Sequence, residues 1–103
     1  MLDLRWRPRA QLDRESIALY LGVEQGQPQA ALNVIAAIDR AIQHVCEVPD
    51  SGGHYSADML QNEYRTIHAG SYTIFYRYDA RTITVWRILH QRQDISILTM
   101  VDF

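Results

Sequence analysis

The sequence predicts an α+β domain of order β-α-α-β-β-β, in which a helical hairpin covers one face of an antiparallel sheet. Three observations carry this reading. Apolar residues recur at steps of three and four through residues 10–48, whereas residues 64–89 are rich in Tyr, Ile, Thr, Phe, Val and Trp. A run of turn formers, Pro49-Asp50-Ser51-Gly52-Gly53, separates the two halves. A length of 103 residues with 48% hydrophobic content suits one core and is too short for a second domain, so residues 1–103 are read as a single unit.

Each element follows from its pattern. Leu2, Leu4 and Trp6 alternate with Asp3 and Arg5, the period of a half-buried strand. Pro8 suits a first helical turn because its missing N–H is not needed there. Ala10, Asp13, Ile17 and Tyr20/Leu21 then follow one helical face, and Gly22 is the expected stop. After the break at Gly26-Gln27-Pro28, Ala31, Ile35, Ile38, Ile42, Val45 and Cys46 define the buried face of a second helix over 29–48. Three strands follow, Tyr64–His68, Tyr72–Asp79 and Thr82–Leu89, joined by Ala69-Gly70-Ser71 and Ala80-Arg81. The alternating tail from Asp94 to Phe103 fits an extra strand or a short helix.

Pairing Asp79 with Thr82 sets Tyr76 opposite Val85, Ile74 opposite Arg87 and Tyr72 opposite Leu89, and these residues are assigned to the face beneath the helices. The other face then carries Thr73, Phe75 and Arg77 beside Thr84, Trp86 and Ile88, with His90 at its end. Pairing His68 with Tyr72 adds Arg65 and Ile67 to this outward face. Aromatic residues beside Arg are enriched where proteins meet partners. Tyr76 is expected beneath the helices with its hydroxyl hydrogen-bonded.

Composition narrows the function. All 10 basic residues are Arg, and the net charge of −2 argues against bulk electrostatic binding to nucleic acid, which would need a local Arg cluster. The single cysteine, Cys46, falls on the apolar helix face and reads as inert core, and His44, His54 and His68 share no ligand spacing. No metal and no cofactor are expected. With no apolar stretch long enough for a membrane span and no secretion signal in the first residues, the chain is expected in the cytoplasm.

Several segments together carry a family resemblance. They are Trp6-x-Pro8-x-Ala10 with Asp13, Ile17 and Tyr20, then the long second helix closing at Pro49-x-x-Gly52, Glu63-Tyr64-Arg65-Thr66-Ile67, Tyr72-x-x-x-Tyr76-Arg77-Tyr78-Asp79, and Ile88-Leu89-His90-x-Arg92-x-Asp94. In this order they resemble the RelE/ParE toxin superfamily of bacterial type II toxin–antitoxin systems, over nearly the whole chain and closer to ParE than to RelE. Arg14 departs from the family pattern, where an apolar residue follows the Asp, and Leu12 is the candidate to compensate through a different helix rotation.

The resemblance implies one of two activities. RelE-like members cleave mRNA in the ribosome, whereas ParE-like members are associated with poisoning DNA gyrase and carry no established nuclease constellation. Attack by a ribose 2′-OH requires a base, an acid and cations around the phosphorus. Thr73 stands where RelE-like nucleases have an Arg, Ile67 replaces a second basic residue, and Gln91 follows His90 where some nucleases have Tyr. Arg65, Arg77 and His90 are the groups left to a nuclease, an incomplete set. The resemblance therefore implies a binding toxin with no catalytic residues, held by a cognate antitoxin, contacting DNA only through that antitoxin and not contacting membrane. Its expected partner-binding residues are Arg65, Phe75, Arg77, Trp86, His90 and Arg92. The alternative is a ribosome-dependent mRNA endonuclease.

Overall fold

The computed structural model describes residues 1–55 and 63–92. Strand β1 (Asp3–Trp6) leads into α1 (Pro8–Leu19), a π-helical turn (Tyr20–Glu24) and α2 (Pro28–Glu47). A 3₁₀ turn (Pro49–Ser51) precedes β2 (Gly53–Tyr55), β3 (Tyr64–Ala69), β4 (Tyr72–Tyr78) and β5 (Thr82–His90). The sheet order is β1-β5-β4-β3-β2, antiparallel except where β1 runs parallel to β5. The predicted α+β hairpin-on-sheet architecture is the one observed, with β2 as a strand the sequence pattern did not disclose. The tail from Asp94 to Phe103 lies outside the described residues.

Helix α2 buries the stripe its spacing predicts. Ala31, Ile38, Ile42, Val45 and Cys46 are buried, and Ile35 packs against them. Beneath them lie Ile74, Tyr76, Ile83, Val85 and Ile88 of the sheet, flanked by Leu2 and Trp6. Fully burying an aliphatic side chain of this kind stabilises by roughly 1.5–3 kcal/mol, so this layer holds the domain together. Cys46 belongs to it, and burial raises its thiol pKa, which keeps the sulfur protonated.

Helix α1 behaves differently. Gly22 does not stop it; the chain continues through the π-helical turn to Glu24, and the reversal waits for Gly26 at a φ of 62°. Leu12 does not compensate for Arg14, being 52% exposed. Arg14 instead clamps the hairpin, donating from Nε and Nη2 to the two Asp39 carboxylate oxygens at 3.0 and 2.6 Å. That hydrogen bonding raises the Arg14 pKa.

Two local geometries change which side chains face the helices. Ala69 pairs with Tyr72 across a two-residue Gly70-Ser71 turn, Gly70 having a φ of 58°, so His68 opposes Thr73 and not Tyr72. This one-residue difference moves Arg65 and Ile67 from the outward face to the helix side. In β5, Tyr76 opposes Val85 as expected, but Phe75 opposes Arg87, leaving Trp86 as the extra residue of a β-bulge. Beyond it Ile74 meets Ile88 and Tyr72 meets His90, so Ile88 turns into the main core and Leu89 turns outward.

Just past the bulge, Arg87 reaches α1. Arg87 is only 3% exposed and donates from Nε to Asp13 Oδ2 at 2.7 Å and from Nη2 to Oδ1 at 3.1 Å. The Ile88 amide donates to the same carboxylate at 2.9 Å. Replacing Asp13 with Ala removes the counter-charge from a buried guanidinium and the acceptor from a strand amide. Urea unfolding should show a loss of about 3–5 kcal/mol, and a loss below about 1 kcal/mol would refute this account.

At the β4–β5 turn, Asp79 Oδ1 accepts from the amides of Arg81 and Thr82 at 2.9 and 2.8 Å. These bonds, with Arg5 and Arg81 nearby, hold its carboxyl below the usual carboxylate range. A lowered folded-state pKa gives stability that is complete above the unfolded value of about 4 and lost as pH falls through the folded one. Asp79→Asn should therefore flatten the acid limb of a urea-midpoint profile while leaving the slope near neutral pH unchanged.

Candidate partner-binding face

The side of the sheet away from the helices is not a bare surface. Tyr64, Phe75 and Leu89 form a second buried cluster, joined by Tyr55 and Trp86. Phe75 is fully buried, its ring edge-on to Tyr55 with centroids 5.2 Å apart. The expectation that Phe75 meets a partner directly is therefore corrected: it supports the face from below. Thr73, also buried, shares a 3.1 Å hydrogen bond with His68 Nδ1.

Trp86 is half-buried and stands at the centre of what remains accessible. Its ring meets Tyr64 edge-on at 5.4 Å, Arg7 lies over it at 4.4 Å, and Arg77 is 5.8 Å from the centroids of both Trp86 and Tyr64. The guanidiniums gain cation–π attraction by lying over the rings. Burial raises the Tyr64 phenol pKa, so it remains neutral. Sequence reasoning found Arg77 and Trp86 but missed Arg7. Its signal was weak: it falls in the link between β1 and α1, just past the strand whose pairing sets it beside Trp86.

Arg65 approaches from the other side of the sheet, at an edge the helices leave open. Its Nη1 donates to the Gly52 carbonyl at 3.0 Å and lies 2.9 Å from His54 Nε2, while Nη2 donates to the Tyr78 hydroxyl at 3.2 Å. The bond to Tyr78 heads the causes that raise the Arg65 pKa. His54 Nδ1 is in turn in close contact with Glu63 Oε1. His54, passed over in the sequence because it has no ligand spacing, thus joins Arg65 through the pairing of β2 with β3. Arg65 and Arg77 line one shallow depression with Tyr78, and Arg77 and Tyr78 continue into a second beside Arg7 and Trp86.

His90 and Arg92 are elsewhere. The bulge sends His90 to the helix side, edge-on to Tyr72 at 5.1 Å, where both residues line a cavity with Ile17, Tyr20 and Leu21. The Arg92 amide donates to His90 Nδ1 at 3.0 Å. His90 opposes Tyr72, whereas Arg65 opposes Tyr76; four residues of strand separate the positions by about 13 Å. The structure therefore brings Arg65, Arg77 and Trp86 together and does not bring His90 or Arg92 to them. Among the described residues, no group of three His, Cys, Asp or Glu side chains converges as metal ligands would.

The fold is that of a small toxin, as comparison with known proteins shows. Residues 4–95 match the family model described as the ParE toxin of the type II toxin–antitoxin system, parDE. Toxin ParE1 of Mycobacterium tuberculosis, from strains CDC 1551 and H37Rv, is 40% identical over 76 residues, spanning 73% of this chain and 70% of that protein. A structure of the chromosomal ParDE TA system from P. aeruginosa superposes with a TM-score of 0.69 at 22% identity, covering 87% of this chain and 96% of that one, which shows the shared fold. The chain belongs to the ParE toxin family. It is a type II toxin, and membership implies an antitoxin partner.

Tyr76 carries the Arg65 side of the face. Its fully buried ring sends the hydroxyl to the Pro49 carbonyl at 2.8 Å, and that oxygen accepts from the Gly52 amide at 3.1 Å. A Cβ on residue 52 would collide with the same hydroxyl and lie 2.7 Å from the Thr66 carbonyl oxygen. Gly52→Ala should cost about 1–3 kcal/mol in urea unfolding. Stability within about 0.3 kcal/mol of wild type would show that the turn yields without strain.

Proposed function

We propose that this toxin acts by binding, that its target is DNA gyrase, and that a cognate antitoxin neutralises it by covering the Arg–aromatic face, in the cytoplasm where these partners meet. The observation that carries the binding mode is the separation of His90 from Arg65 and Arg77. A nuclease of the RelE type would need these groups around one phosphodiester, and His90 lines a different depression from the one that Arg65 and Arg77 share. Gyrase as the target rests on family membership, and the antitoxin's seat on the clustering of Arg7, Arg77 and Trp86. A segment that folds as it docks suits a shallow, pre-ordered face of this kind.

Purified toxin should inhibit gyrase supercoiling of relaxed plasmid, and an equimolar amount of the antitoxin encoded beside its gene should restore it. His90→Ala should leave inhibition within about twofold of wild type, a change under about 0.4 kcal/mol. Primer extension on translated mRNA after induction separates the alternative. Codon-positioned cuts that vanish in His90→Ala, with gyrase unaffected, would replace this reading with a ribosome-dependent endonuclease.

A further inference from the structure

Three guanidiniums border one continuous trough, and none forms an ion pair with a described residue. Arg7, Arg77 and Arg65 line the two adjoining depressions that share Arg77 and Tyr78, whereas the ion pairs among the described residues are Arg14–Asp39, His54–Glu63 and Arg87–Asp13. Neutral groups hold them instead: indole and phenol rings for Arg7 and Arg77, a carbonyl and a hydroxyl for Arg65. Each guanidinium has a fork of five N–H donors suited to a planar oxyanion. In a chain of net charge −2, three positioned cations in one place, none ion-paired to a described residue, are a local departure from the average.

The lining also discriminates between kinds of anion. Asp79 contributes a carboxylate to one depression and Glu63 to the other. A nucleic-acid strand, charged at every nucleotide, would be driven past both carboxylates, whereas a polypeptide can place acids opposite the arginines and neutral residues elsewhere. We infer that the Arg7–Arg77–Arg65 trough reads acidic side chains on the antitoxin, so that charge pairing here selects the cognate partner. The inference rests on the antitoxin reading above and adds which groups recognise it. Charge-assisted recognition of this sort speeds encounter and weakens with salt.

The test measures the Kd of purified toxin for the antitoxin encoded beside its gene, at NaCl concentrations from about 50 to 500 mM. Wild type should weaken at least about tenfold across that range, and Arg77→Gln or Arg7→Gln should each weaken binding about tenfold at low salt with a shallower salt dependence. Arg77→Lys should fall between, because it keeps charge and loses the fork. Arg40→Gln, on the exposed side of α2, should bind as wild type. The Arg7 and Arg77 side chains donate no hydrogen bond to a described residue, so thermal melting should report both variants as folded; Arg65→Gln is interpreted only with such a melt in hand. Equal affinity and equal salt dependence in wild type and the Arg variants would overturn the trough while the antitoxin reading stands. Failure of wild type to bind the antitoxin at all would remove both. Binding of a 15-nucleotide single-stranded RNA at this trough in preference to the antitoxin, lost in Arg77→Gln, would overturn the acidic-peptide assignment in favour of nucleic acid.

Discussion

The Asp13 carboxylate is where helix and sheet are joined, and the position of the accessible face follows from it. Strand β1 pairs only with Thr82–Val85, so the rest of β5 would present an open edge with unpaired amides. Asp13 closes that edge, taking two bonds from the Arg87 guanidinium and one from the Ile88 amide. A buried charge pair contributes little over an apolar replacement because both ions lose water. Its value here is geometric: it ties Arg87 and the Ile88 amide, just past the bulge at Trp86, to α1 and so fixes the far end of β5.

The face inherits its character from this arrangement. Trp86, the extra residue of the bulge, keeps the outward side that alternation gives it, its indole over the Tyr64–Phe75–Leu89 cluster, within reach of Arg7 from one side and Arg77 from the other. The same bulge removes His90 from that side and sets it against Tyr72. The bulge therefore takes the one imidazole of the nuclease set away from the cations and aromatic rings at this end of the sheet. A surface so made is suited to holding a partner more than to moving protons, which agrees with a ParE-family toxin and with the way its arginines are held by neutral groups.

Much of the architecture was legible in the chain. The α2 stripe from Ala31 to Cys46 is correct nearly residue for residue, because a 3.6-residue period over twenty positions leaves little choice of buried face. The order of elements apart from β2, the β4–β5 turn at Asp79 and the buried Tyr76 with its bonded hydroxyl were equally readable. Of the candidate residues, Arg77 and Trp86 lie together on the outward face that alternation assigned them. Arg65 was found on the wrong face, Phe75 was taken for surface when it is core, and Arg7 and His54 were not singled out.

What the sequence by itself determined is thus what depends on neighbours in the chain: helical periodicity, turn chemistry, strand propensity and the family motifs spread through them. The tertiary structure alone decided sidedness. Alternation has a period of two, so a single inserted residue at Trp86, or a turn at Gly70-Ser71 one residue tighter than assumed, reverses every assignment beyond it without altering any local preference. Whether such a slip occurs is settled by groups far apart in sequence, Asp13 meeting Arg87 and β2 meeting β3, whose energies no window along the chain contains.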